Sequence, residues 1–191
     1  MTKTIAAWND ARTKGLAAAL MRFGKIGFWI QLVLLIAIAL LGGYVLKVAG
    51  GRAALGNILS FLGLVLPLFT TLWCRRYAAL GKALSGGADT PSPAMVGRSL
   101  WVGVWAGAAG VVVTLISLLG AASGLMVTLL ANPQVGVAVA TISPGGADYQ
   151  ISAVDALSLM SLLLTQTAEL MVVAMSLRLV FLFARSIRTG G

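Results

Sequence analysis

The sequence predicts an all-α membrane protein. Four transmembrane helices form two helical hairpins, both termini lie in the cytoplasm (N-in/C-in), and a short N-terminal interfacial helix precedes the first span. Three observations predict this. The chain is 59% hydrophobic and 10% charged over 191 residues, too apolar for a water-soluble domain. Four long apolar stretches, at about 26–46, 53–74, 99–131 and 156–177, reach the roughly 20 residues needed to cross about 30 Å of hydrocarbon. The basic residues also segregate by connection. Lys3, Arg12, Lys14, Arg22 and Lys25 precede the first stretch, Arg75, Arg76, Lys82 and Arg98 lie between the second and third, and Arg178, Arg185 and Arg188 follow the fourth. Only Lys47 and Arg52 sit on the opposite side, which is the positive-inside asymmetry.

Residues 1–25 read as a cytoplasmic interfacial segment and 26–188 as the transmembrane domain. Over 3–23, Ile5, Trp8, Leu16, Leu20 and Phe23 approximate a helical stripe, suited to lying on a membrane surface. A frayed basic tail with one aromatic anchor is the alternative. The apolar run that starts at Ile26 is too long for a signal core, so the first helix is expected to stay in the mature protein. Trp29, Trp73, Trp101 and Trp105 fall at the ends assigned to the cytoplasm, where indole prefers the headgroup level. Tyr44 marks the opposite face.

In the second span Gly56, Asn57, Ser60, Gly63, Pro67, Thr71 and Cys74 share a narrow arc. Pro67 is expected to kink the helix and free a carbonyl for a neighbouring hydroxyl. Gly86 is placed to stop this helix. Ser92 and Pro93 are placed to start the next as N-cap and first helical residue, so both helices should run past the lipid into the cytoplasm.

The third span holds a seam of small residues in alternating steps of four and three: Gly103, Gly107, Gly110, Thr114, Ser117, Ala121, Gly124, Thr128 and Ala131. Lipid gives helices no hydrophobic reason to associate, so small residues promote association by letting backbones approach. The 3.5-residue period makes the seam straight. Its partner is a helix of this chain or of a second copy; a functional groove is the other reading. In the connection 132–151, Val135, Val137 and Val139 alternate, which allows a short extended segment.

The fourth span contains Glu169, nine residues before Arg178 and so about 13 Å deeper. A charged carboxylate in hydrocarbon costs at least about 2.5 kcal/mol, so it is expected to face protein or a water-filled cavity. Asp155, Ser158, Thr165, Gln166, Glu169 and Ser176 fall on one side of this helix, with Arg178 projecting away. Gln31 is the strongly polar residue of the first span, at a similar depth, and is expected to hydrogen-bond Glu169, with that acid protonated or water-linked. Glu169 is then either polar glue between helices or an ion, proton or substrate site. Asp155 closes a Ser152-x-x-acid capping box and complements the helix dipole; a second carboxylate at the outer mouth of a cation path is the alternative.

The chain has no histidine and one cysteine, Cys74. No nucleophile–base motif, phosphate loop or metal-ligand cluster is visible, so no enzymatic activity and no cofactor is expected. Met160, Met171 and Met175 suit packing better than soft-metal binding. The net charge of +9 is dispersed at helix ends, which interfacial anchoring explains without nucleic acid.

The run Arg22–Leu32, with Gly27-Phe28-Trp29-x-Gln31-Leu32 at its centre, resembles a family of small four-helix membrane proteins. It includes the chloroplast inner-envelope iron permease, also described as a component of the inner-envelope protein translocon, and uncharacterised bacterial relatives. Asn132-Pro133, Leu179-Val180-Phe181 and Arg185-Ser186 echo the same family. The resemblance implies four helices with cytoplasmic or stromal termini, and a role in iron permeation or protein import. It transfers no catalytic residue; Gln31 is the matched polar position. Without a transit peptide, the expected location is a bacterial or cyanobacterial cytoplasmic membrane. Two functions from different classes follow. One is an oligomeric permease for an iron-like cation, whose copies join along the seam and bring Glu169 side chains together. The other is a noncatalytic scaffold, assembly factor or accessory subunit of a larger membrane complex.

Overall fold

The computed structural model describes residues 10–49, 54–86, 90–131 and 153–187. Four helices account for nearly all of them: α1 (Asp10–Ala49), α2 (Ala54–Ser85), α3 (Pro93–Ala131) and α4 (Ala153–Ile187). The connection 132–151 with its alternating valines, the N-terminal Ile5 and Trp8, and Ser152 of the capping box lie outside the described residues. So do the side chains of Gly56, Asn57, Ser60, Thr128 and Ala131.

Three of the helices, α1, α3 and α4, are long and apolar enough to cross a membrane. All four exceed what a bilayer requires. The 40 residues of α1 extend about 60 Å at 1.5 Å per residue, twice the hydrocarbon thickness. Hydropathy marks where lipid would begin, whereas a helix continues through charged residues of good helix propensity until a cap or breaker stops it. The start of α3 follows the sequence signal. Ser92 caps it, its Oγ accepting from Met95 N at 3.3 Å and its carbonyl from Met95 N and Val96 N at 3.0 and 3.1 Å. Pro93 occupies the first turn, where its missing N–H is no loss, and α2 ends at Ser85, just before Gly86.

Neighbouring helices run antiparallel. A Cβ placed on Gly24 of α1 would lie 2.5 Å from Ala78 N and 2.8 Å from Cys74 O, and one on Gly81 of α2 would lie 2.7 Å from Met21 N and 2.8 Å from Ala17 O. The two backbones therefore touch at two points where only hydrogen fits. Along α4, Arg178 stacks on Phe23 of α1 at 5.0 Å and Gln31 reaches Ala168.

Among the described residues, the part of the expected interfacial helix that begins at Asp10 is not a separate helix. From Asp10 onward this segment is the opening of α1 and continues unbroken into the apolar stretch. Leu16 and Leu20 of its stripe face protein rather than a membrane surface: with Ala17, Tyr77, Leu84, Val96, Leu100 and Leu179 they build one buried core. The physical reason is that all four helices project beyond their apolar spans at this basic end. An apolar stripe there can be covered by neighbouring helices, and burial from water stabilises it directly. Aliphatic burial and the Gly81 backbone contact together hold the basic end, and small-residue contact continues along the α3 seam.

Pro67 sits inside α2 without ending it. Thr70 and Thr71 donate their hydroxyls to the Pro67 carbonyl at 3.2 and 2.6 Å; the carbonyl that proline frees is that of Gly63, four residues earlier, so these bonds are not the expected compensation.

A buried acceptor cluster at Glu169

Glu169 lies near the middle of α4 with its side chain fully buried, 0% exposed. It can be there because α3 presents glycine opposite it. A Cβ on Gly110 would stand 2.5 Å from Glu169 Cδ and 2.7 Å from its Cγ and Oε2. One turn away, a Cβ on Gly107 would meet Val173 Cγ2 at 2.8 Å, and one on Gly103 would collide with the Tyr77 hydroxyl. The seam therefore receives α4 of the same chain, with Tyr77 of α2 entering at Gly103. Gly103, Gly107, Gly110 and Thr114 are buried, Ser117 and Ala121 half-buried, and Gly124 exposed. The contact that would have joined copies is occupied over its first three glycines by an intramolecular one.

The polar residues of this layer divide sharply. Hydroxyls bond within their own helices or to each other. Thr114 Oγ1 donates to Gly110 O at 2.8 Å, Thr165 Oγ1 to Ser161 O at 2.9 Å, and Thr70 and Thr71 to Pro67 O. Tyr77 and Ser176 hydroxyls pair at 3.0 Å. Thr114, Thr165, Thr70 and Thr71 each spend their one proton on a carbonyl, the Tyr77–Ser176 pair spends one of its two on the bond between them, and no hydroxyl reaches Glu169.

Gln31 of α1, fully buried, does not bond Glu169 as expected. Its Nε2 donates to Ala168 O at 2.6 Å. A backbone carbonyl has two lone pairs, and helix bonding leaves one able to accept, so the amide finds an acceptor one residue short of the acid. Four buried side-chain atoms then have no hydrogen-bond partner: Glu169 Oε1 and Oε2, Gln31 Oε1 and Gln166 Oε1. All four are oxygens that accept. They belong to residues 166–169 of α4, one helical turn, and to the residue of α1 that bonds it. Buried acceptors without donors are costly, and what relieves them is a proton, a water or a cation.

Other expected site residues stand apart. Thr165 is buried but turned to its own helix. Asp155 lies in the first turn of α4, about 21 Å along the axis from Glu169, so the two carboxylates share no site. Cys74 is buried; it and Met175 flank Gly27, where a Cβ would lie 3.4 Å from the Cys74 Sγ and 3.1 Å from the Met175 Sδ. Among the described residues no group of three or more His, Cys, Asp or Glu side chains is placed to hold a metal ion. Sequence reasoning missed the Tyr77–Ser176 pair and the Gly24–Gly81 approach. The latter had a signal: the small-residue face of the second span continues beyond Cys74 as Ala78, Gly81 and Ser85.

No curated protein and no solved structure matches the chain. The model of a family described as "Protein of unknown function (DUF3611)" matches residues 10–182, which takes in all of the buried cluster and most of each helix. The chain belongs to this DUF3611 family.

Proposed function

We propose that the protein is a small cation permease of the bacterial or cyanobacterial cytoplasmic membrane, with the acceptor cluster at Glu169 as its binding site. The observation that carries this reading is the set of four buried oxygens without a hydrogen-bond partner, with the neighbouring Thr114 and Thr165 hydroxyls turned to their own helices. A carboxylate and amide oxygens are hard donors, suited to a hard cation or to a proton that exchanges with one. The resemblance at Gly27–Leu32 points to iron, and its ferrous form is the first substrate to try.

The reading includes four spans in two hairpins with both termini cytoplasmic. The placement of twelve of the fourteen basic residues supports that orientation. The close antiparallel packing of α2 on α1 supports α2 as the fourth span. Three oxygen-bearing side chains are too few for a complete coordination shell, so carbonyls, water or a second copy supply the rest.

A second reading has its own observation. Gly110 closes so tightly on Glu169 that the acid is packed into the contact between α3 and α4, as a scaffold or accessory subunit would use it. Uptake of ferrous iron into anaerobic proteoliposomes separates the two. The permease reading expects uptake by the wild type and at least a tenfold loss in Glu169→Gln. Equal, background-level uptake by both, together with co-purification of a defined larger complex, favours the scaffold.

A further inference from the structure

A groove of about 510 Å³ opens between α2 and α3, lined by Trp73, Arg76, Ala94, Met95, Arg98, Ser99 and Val102. It lies at the basic end of the bundle, away from the Glu169 cluster. Two guanidinium groups enter it and no carboxylate lines it. Its walls are fixed. Trp73 Nε1 donates to Ser99 O at 3.1 Å, tying α2 to α3 across its floor. Arg76 stacks over the Trp73 ring at 4.7 Å, and Trp73 stacks on Phe69 at 5.2 Å between centroids. Stacking uses the face of a guanidinium and leaves its N–H edge for a planar or tetrahedral anion.

Polarity along both walls follows one order. On α2 it runs from Arg76 through Trp73 to Phe69, which is 40% exposed; on α3 it runs from Arg98 through Val102 to Trp105, which is 69% exposed. Both walls thus pass from a charged side chain to exposed apolar or aromatic surface, the order met on descending from headgroup to acyl chain. A free anion would need only the first. We infer that this groove binds the phosphate of an anionic phospholipid, Arg76 and Arg98 holding the phosphate and the Phe69 and Trp105 faces the start of its chains.

The test uses the purified full chain in detergent, offered equimolar phosphatidylglycerol and phosphatidylcholine and read by native mass spectrometry. Wild type should retain phosphatidylglycerol preferentially. Arg76→Gln and Arg98→Gln should each lower that retention about fivefold, as expected for one interfacial basic charge, and Lys14→Gln, outside the groove, should leave it unchanged. Should the Gln variants fail to fold, Arg76→Lys with Arg98→Lys keeps the charge; retention intermediate between wild type and background supports the site. Retention in the Arg76→Gln/Arg98→Gln protein equal to wild type overturns the proposal. Release of the lipid by inorganic phosphate at the same concentration overturns the lipid as the source and leaves a phosphate site.

Discussion

Glu169 rests so closely on Gly110 that a single methyl group added to the glycine would stand 2.5 Å from the acid's Cδ. The contact joins the two features that the chain's chemistry turns on: a seam of small residues on α3 and a carboxyl group deep in α4. It makes a direct prediction. Gly110→Ala must push Glu169 aside or part the helices, at about 1–3 kcal/mol, the usual cost of overpacking. Gly120→Ala, where an added Cβ meets nothing within 4 Å, should be neutral or stabilising by about 0.5–1 kcal/mol through helix propensity. Thermal unfolding of both variants in the same detergent makes the comparison.

Gln31→Leu should cost about 0.6–2 kcal/mol through loss of the bond to Ala168 O. Gln31→Glu should cost more at alkaline pH, where the ionised carboxylate only accepts and faces a carbonyl. Denaturant titration monitored by tryptophan fluorescence reports both. Equal stability of Gln31→Glu and wild type at that pH would remove the bond from the account.

Tyr77 and Ser176 form the polar link between α2 and α4. A double-mutant cycle of Tyr77→Phe and Ser176→Ala should give a coupling of about 0.5–1.5 kcal/mol. A coupling of zero would mean that the two hydroxyls are satisfied separately.

The two halves of the bundle should respond differently to truncation. Leu20→Ala and Leu100→Ala, both 0% exposed in the basic-end core, should cost about 2–5 kcal/mol. Leu40→Ala, 70% exposed, should change stability within about 0.5 kcal/mol. If Leu40→Ala proved as damaging as Leu20→Ala, the exposed surface of α1 would be covered by a partner, and the scaffold reading would gain.

These contrasts also show what was legible in the residues. Ser92 and Pro93 marked the start of α3 because caps are local chemistry, readable in a few consecutive positions. Gly103, Gly107 and Gly110 marked a packing face because their period is regular, and Glu169 stood out as an acid deep within the fourth apolar stretch. Three things were hidden. The helix ends lay beyond the apolar stretches, because hydropathy reports where lipid would stop and not where the helix does. Leu16 and Leu20 read as a surface stripe because a stripe does not say whether protein or membrane covers it. Gln31 was expected to choose a side chain and chose the Ala168 carbonyl, since a backbone acceptor leaves no trace in the residue pattern. The same limit hid Gly24 and Gly81, whose contacts are all backbone atoms save one.

The central proposal is that Glu169 exchanges a proton for a cation at its buried site, and infrared difference spectroscopy of the protein in nanodiscs tests it most directly. Adding ferrous iron anaerobically to the wild type should remove a protonated-carboxyl band and raise a carboxylate band, with neither change in Glu169→Gln. A wild-type carboxyl spectrum untouched by saturating cation, or one already ionised before any is added, would contradict it.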